Sequence, residues 1–455
     1  MIDLTRKISK KIGVDGAIAF TVAARVIQAG GGVVTLLFVA KSLSKVEQGY
    51  YYTFGSILAI QVFFELGLSN IITQFVAHET ASLTWKDRIS FTGPVESSSR
   101  LSSLLRFSIN WFAIIGLLLV FGLLIAGYCF FNAYGKNDDV VEWQIPWIIL
   151  SITTSLSLIV SPILAFLEGL GRVKEVAKIR MAQQMVQLTF VLIFFSLGLK
   201  LFSSPLAATL AFAIVPLWIV ISEKRKLLVF IWNKLDQWHV NYRVEIFPFQ
   251  WKIALSWISG YFVFQLFNPV LFATEGPVVA GQMGMTLAIL NAILMFSLSW
   301  VSTKVPLFSG FIAKKEYARL DSLFNKTLIQ STALNFFALS VFFILIFMVR
   351  YFDLQINGKS FGNRFLPYSA MLFMIVPILL NHMIASWATY LRCHKKEPML
   401  IQSLVIGILC TFSTIFLGKH FGVFGMTLGY LLVTFIGFVW TLFIFKSKKR
   451  EWHNE

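Results

Sequence analysis

Apolar positions along this chain fall in long unbroken runs separated by short polar intervals. Twelve runs are long enough to cross hydrocarbon, which takes about 20 residues. Their limits are 18–40, 48–74, 107–131, 146–168, 183–199, 204–222, 253–274, 280–307, 329–350, 366–389, 399–417 and 423–445. Apolarity within each run is continuous and does not alternate every second residue, which excludes a membrane barrel and leaves helices. The pairs 183–222 and 399–445 are the least sharply divided, because the turns from Lys200 to Pro205 and from Gly418 to Gly422 are very short.

Composition agrees with this pattern. Of 455 residues, 57% are hydrophobic and 13% charged, and the mean hydropathy is +0.75, whereas soluble chains carry about 25% charged residues. Disorder and nucleic-acid binding are excluded with the soluble classes. The net charge of +17 takes its meaning from where it sits. With the N-terminus inside, 29 Lys and Arg fall in inner segments and 8 in outer turns, and Arg25 and Lys304 lie inside spans. Positive residues are retained on the cytoplasmic side during insertion, so both termini are expected there. The basic start before the first run resembles a leader, but the apolar stretch is long and reads as an uncleaved first span.

The expected architecture is all-α, with about 12 transmembrane helices in two six-helix lobes. Residues 1–222 form the first lobe, 223–252 a cytoplasmic or interfacial linker, 253–445 the second lobe and 446–455 a basic tail. Leu227 to Trp238 mixes apolar and basic residues as a helix lying on the inner leaflet does. A weak internal repeat supports the division and a pseudo-two-fold. A shift of 232 residues lays Gly49 of Glu47-Gln48-Gly49-Tyr50 on Gly281 of Ala280-Gly281-Gln282-Met283.

No nucleotide-binding glycine loop, zinc signature or nucleophile–base spacing is present, so no catalytic or metal-binding residue is expected and the chain does not read as an enzyme. Cys129, Cys393 and Cys410 are too scattered for a disulfide framework or a metal site. Ionisable residues inside a membrane are costly and default to function. Arg25 and Glu65 lie at similar depth on antiparallel neighbouring runs. They form a structural ion pair, or Arg25 faces an aqueous cavity and meets an anion. Gln28 shares a face with Arg25, and Gln61 and Ser69 share one with Glu65, at helical spacing. Lys304 either snorkels to the inner surface or lines an anion-binding vestibule. Asn268 belongs to a further set of polar positions within spans, with Gln187, Gln265, Asn291, Asn335, Asn381, His382 and Gln402. These line a cavity or bond between helices. The candidate substrate contacts are therefore Arg25, Gln28, Gln61, Glu65, Asn268 and Lys304. An interior with two cations and one carboxylate suits a pyrophosphate better than a cationic drug.

The stretch Arg25-Val26-Ile27-Gln28, with Leu43-Ser44-Lys45-Val46-Glu47-Gln48-Gly49-Tyr50-Tyr51-Tyr52-Thr53-Phe54, Phe64-Glu65-Leu66-Gly67-Leu68 and Gln74-Phe75-Val76-Ala77-His78-Glu79, resembles the Wzx-type O-antigen flippases. Leu167-Glu168-Gly169-Leu170-Gly171-Arg172 extends the likeness, which is most specific over 20–80. The resemblance implies the multidrug/oligosaccharidyl-lipid/polysaccharide exporter fold in a bacterial inner membrane. It also implies an undecaprenyl-pyrophosphate-linked oligosaccharide as substrate, moved to the periplasmic leaflet by alternating access for lipopolysaccharide assembly. Membrane lipids and the polysaccharide polymerase machinery are the implied partners, nucleic acid is not, and no cofactor is implied beyond H+ or Na+ coupling. A cation-coupled multidrug or metabolite antiporter of the same fold and a non-transporting scaffold of polysaccharide assembly are the alternatives. If Arg25 contacts pyrophosphate, Arg25→Ala abolishes transport at unchanged membrane protein level while Arg25→Lys keeps part of it. Full activity of Arg25→Ala in a transport assay with quantified protein excludes that contact.

Overall fold

A computed structural model of the chain describes residues 30–32, 34–135, 141–356, 358–394 and 396–453. Nearly all of them are helical, and the short hairpins at Thr84–Trp85 with Phe91–Thr92 and at Gln355–Ile356 with Lys359–Ser360 are minor. Among the described residues nine continuous helical stretches are long and apolar enough to span a membrane. Breaks inside helices reconcile this number with twelve runs. Gly422, at φ 59°, divides Leu400–His453 into the eleventh and twelfth spans. The seventh is split into Phe247–Phe264 and Phe267–Thr274. Of the first, the helix Gly30–Ser42 is described. The sequence limits need adjustment where polar residues extend a helix beyond hydrocarbon. The third span runs over Val95–Tyr134, the ninth over Tyr317–Tyr351 and the fifth over Val173–Ser196, about ten residues earlier than its apolar run suggests.

The chain groups into two compact units, one of residues 1–31, 60–132 and 142–257, the other of 32–59, 133–141 and 258–455. The outer part of the second span thus belongs with the C-terminal half of the chain, and the span changes unit at Ala59/Ile60.

In the first unit helices approach closely at small residues, as expected where lipid supplies no drive for association. Gly127 on the third span lies flat against the indole of Trp147, whose Nε1 donates to the Leu123 carbonyl at 3.0 Å. At the inner end, the serine-rich start of the third span clamps the linker. Ser99 Oγ donates to the Trp238 carbonyl (2.7 Å) and accepts from the Asp236 amide (2.8 Å). Ser102 Oγ and Arg106 both donate to the Trp232 carbonyl. Arg100 joins Glu79 (2.8 Å) to Glu245 (2.5 Å). Burial alone would raise the Glu245 carboxyl, but the hydrogen bonds from Arg100 and the Asn241 amide hold it below the ordinary carboxylate range. The expected surface helix over Leu227 to Trp238 is therefore only Lys224–Trp232, with Leu227 and Ile231 fully buried. The residues that follow are not helical, and Ser99 holds Asp236 and Trp238 by their backbone groups.

In the second unit the inner end is an aromatic core of Phe308, Phe324, Trp387, Tyr390, Phe445 and Trp452. A polar cap covers it, in which the Tyr390 hydroxyl donates to Asp321 (2.7 Å) and Lys449 pairs with the same carboxylate (2.8 Å). At the other end of the unit, Glu275 accepts from the Val423 amide at 2.5 Å. A carboxylate at a helix N-terminus satisfies an orphan donor and the helix dipole together. Glu275 thus starts the twelfth span.

Gly127→Ala should destabilise the protein by about 1–3 kcal/mol, because a methyl group there overlaps the Trp147 ring. Gly122→Ala, facing open space on the same helix, should leave stability unchanged or slightly raised. Unfolding midpoints of the two variants in detergent check the contrast.

Candidate functional site

The second span carries most of the sequence signal, and its backbone is not a continuous helix. It begins with a capping box: Ser44 Oγ accepts from the Glu47 amide (3.0 Å), and the Glu47 carboxylate accepts from the Ser44 amide (2.7 Å). This exchange satisfies two donors that a helix start leaves free. The helix Lys45–Leu58 tightens into a 3-10 turn at Ala59–Gln61, resumes over Val62–Glu65 and then breaks. Leu66 (φ 49°) and Gly67 (φ 69°) are consecutive left-handed residues, after which Leu68–Thr80 starts afresh. A leucine in that region costs about 1–2 kcal/mol, so packing holds the break in place.

This geometry divides the polar stripe expected for Gln61, Glu65 and Ser69: Gln61 and Glu65 stay in the helical run before the break, and Ser69 lies in the new helix beyond it. Arg25 and Gln28 lie outside the described residues, so their relation to Glu65 does not enter the geometry.

Asn268 is buried at the start of the helix Phe267–Thr274, and its Nδ2 donates to Ser56 Oγ at 2.8 Å. It joins the seventh span to the outer half of the second. Lys304 is half-buried at the break between Pro277–Ser302 and Val305–Ala313. That is roughly 40 Å from the outer start of its helix at 1.5 Å per residue. Asn268 and Lys304 belong to one unit, Gln61 and Glu65 to the other. The other intramembrane polar residues that the sequence singled out mostly bond between helices. Asn335 donates to Ser297 (3.1 Å), Asn381 to Tyr430 (2.9 Å) and Gln402 to the Gly437 carbonyl (3.4 Å).

The feature that sequence reading missed is a seam between Lys45–Leu58 and Pro277–Ser302. Gly49 rests on the Pro277 carbonyl, and a Cβ on Gly281 would stand 2.9 Å from the Gly49 nitrogen. The two glycines aligned by the 232-residue repeat therefore touch each other. A side chain at Gly284 would overlap Tyr52.

Across this seam Gln48 and Arg364 form a closed ring. Gln48 Nε2 donates to the carbonyls of Gly281 (2.8 Å) and Arg364 (3.2 Å). Arg364 donates to Gln48 Oε1 (2.9 Å) and to the Leu43 carbonyl (2.7 Å). Both side chains are 1% exposed. The loop that carries Arg364 is held by Arg350, which donates to the carbonyls of Gly362, Phe365 and Leu366 and lies over the Tyr368 ring. In the sequence Arg364 is one of the eight outer-turn cations, and Arg350 is both one of these and an ionisable residue at a span end. Nothing in the local pattern marks Arg364 as buried, since its partners are 316 and 321 residues away.

No protein-family model matches the chain and no curated protein matches it in sequence. Solved structures do match in fold. The MATE transporter VcmN of Vibrio cholerae is 12% identical with a TM-score of 0.56, covering 99% of this chain and 99% of that one. A MOP-superfamily transporter from Pyrococcus furiosus, described as having a binding pocket of reverse polarity that suggests a different function, is 12% identical with a TM-score of 0.54 over 95% and 96%. An inward-facing multidrug resistance MATE transporter is 12% identical with a TM-score of 0.52 over 92% and 99%. The chain is a multi-pass membrane protein with the two-lobe fold of MOP-superfamily transporters.

Asn268→Ala should lower stability by roughly 0.6–1 kcal/mol, the loss of one interhelical hydrogen bond. Transport should fall only in proportion to protein amount. A loss of apparent substrate affinity at constant protein level would return Asn268 to the binding surface.

Proposed function

We propose that the chain is a flippase for pyrophosphate-linked oligosaccharide repeat units, moving them from the cytoplasmic to the periplasmic leaflet of a bacterial inner membrane for O-antigen or related surface-polysaccharide assembly. The observation that carries this reading is the stretch from Arg25 to Glu79, whose likeness to Wzx-type flippases falls on a chain with a MOP-transporter fold. The charge of the interior supports the substrate class. Arg25 and Lys304 lie within the spans against the single mid-span carboxylate Glu65. Guanidinium and ammonium groups bind phosphate oxygens strongly in low dielectric. The polyprenyl tail stays in lipid while the headgroup meets polar groups on interrupted helices, as Glu65 before the break at Leu66 and Lys304 between Pro277–Ser302 and Val305–Ala313 are placed.

A cation-coupled multidrug antiporter is the second reading, favoured by the MATE transporters among the structural neighbours. Against it stands the shortage of embedded carboxylates to receive a cation.

Depletion of the protein in its native cell separates the two. The lipid-linked oligosaccharide is probed with a membrane-impermeant reagent on intact spheroplasts and on inverted vesicles. Single repeat units confined to the inner leaflet are the expected result. An unchanged leaflet distribution, together with drug resistance on expression in a sensitive strain, would replace the flippase by the antiporter.

A further inference from the structure

The seam between Lys45–Leu58 and Pro277–Ser302 is closed by polar groups that are poorly satisfied. The guanidinium of Arg364 is always charged, fully buried and hydrogen-bonded to the neutral acceptors Gln48 Oε1 and the Leu43 carbonyl. Burial disfavours its charge, and the Glu47 carboxylate, engaged in its own capping box, acts on it only through space. Further along the same helix, Thr53 Oγ1 is buried without a hydrogen-bond partner, as is Asn268 Oδ1 beside Ser56. Among the described residues Arg364 has no paired counter-charge, and both it and the orphaned Thr53 hydroxyl gain hydration if the helix Lys45–Leu58 moves away from this seam. The close glycine contacts, the Gln48–Arg364 ring and the buried rings of Tyr50, Phe54 and Phe272 oppose it.

The covalent chain adds a constraint. The helix on one side of the seam leads at Ala59/Ile60 into residues of the other unit, through a 3-10 turn and a left-handed pair. Any rearrangement of the units must therefore bend this break or part the seam.

We infer that Arg364 is a positioning residue of the transport cycle: with Gln48 it latches a wettable seam that parts toward the outside and recloses in each turnover. The inference rests on the reading of the chain as a transporter but not on the identity of its substrate. Loss of either partner loosens the latch, because Arg364 without Gln48 is a buried charge with half its acceptors, and Gln48 without Arg364 is a buried amide left short of a donor. Replacing both by apolar residues of similar volume removes the buried charge and the buried amide and leaves only backbone carbonyls at the seam, an exchange that in buried ion-bearing sites is often neutral or stabilising. The seam then closes and stays closed.

The test uses full-length protein in intact cells, with Cys129, Cys393 and Cys410 replaced and the buried, near-isosteric Thr53→Cys as reporter for a membrane-impermeant maleimide added outside. Gln48→Leu and Arg364→Met should each raise the labelling rate about tenfold or more, the equilibrium shift expected from one unsatisfied buried group. The double variant should label at or below the parent rate and yet transport less than the parent. Unchanged labelling in both single variants would overturn the latch. A double variant that recovers both slow labelling and full transport would show that the pair only packs the fold. Labelling requires no substrate, so failure of the oligosaccharide reading leaves the opening of the seam decided by the same experiment. The transport arm is then read on the substrate that leaflet and drug assays establish.

Discussion

Hydrocarbon offers no hydrogen-bond partner, so a backbone that crosses it must satisfy its own N–H and C=O groups or be sheltered by protein. Every irregularity in this molecule answers to that constraint. At the break in the second span the Leu66 amide still reaches the Val62 carbonyl (3.0 Å) and the Asn70 amide the Gly67 carbonyl (3.2 Å). Between the two parts of the eighth span the Lys304 amide donates to Val301 (3.0 Å). At Gly422 a side chain from the seventh span, Glu275, accepts from the Val423 amide. The breaks are thus tolerated where local turns or neighbouring spans repair them, and they divide otherwise rigid rods into segments.

The same constraint explains what the sequence revealed. Span number and order were legible because the cost of polar groups in lipid writes an apolar run for each crossing. Limits were less legible where helices outgrow the membrane: no continuous apolar run marks Val95 to Arg106, yet these residues continue the third span and hold the linker through Ser99, Ser102 and Arg100. The break after Glu65 was signalled only by a Leu-Gly pair that helices often absorb. Membership of Lys45–Leu58 in the C-terminal unit is not a local property, since it depends on Gly49 meeting Gly281 and on a ring closed by Arg364 across more than 300 residues. Gly49 and Gly281, the pair that the 232-residue shift aligns, meet at this seam.

The interior polar residues divide by what their neighbours can do for them. Asn335, Asn381 and Gln402 find partners on adjacent helices and act as glue, in keeping with the modest worth of such bonds in membranes. Asn268 is intermediate, with its amide nitrogen bonded and its oxygen not. Gln48 uses both donors of its amide and Arg364 is bonded through Nη1 and Nη2, yet among the described residues both acceptors of the guanidinium are neutral. Satisfaction in number and satisfaction in charge are separate requirements, and a surface that meets the first but not the second is held without being sealed.

The end of the chain is where the basic composition acquires a different meaning. Lys446 to Arg450 read as a charged tail, but the twelfth helix continues through them to His453, with Trp452 buried and Lys449 tied to Asp321. The last turns are thus a lid over the aromatic floor of Phe324, Trp387, Tyr390 and Phe445. A truncation made after Phe445 to remove a dispensable basic end would strip that lid and leave a greasy surface bare, the kind of exposure that cellular proteolysis recognises. Reporter fusions at this end call for a spacer that begins after His453 and leaves the closing turns seated.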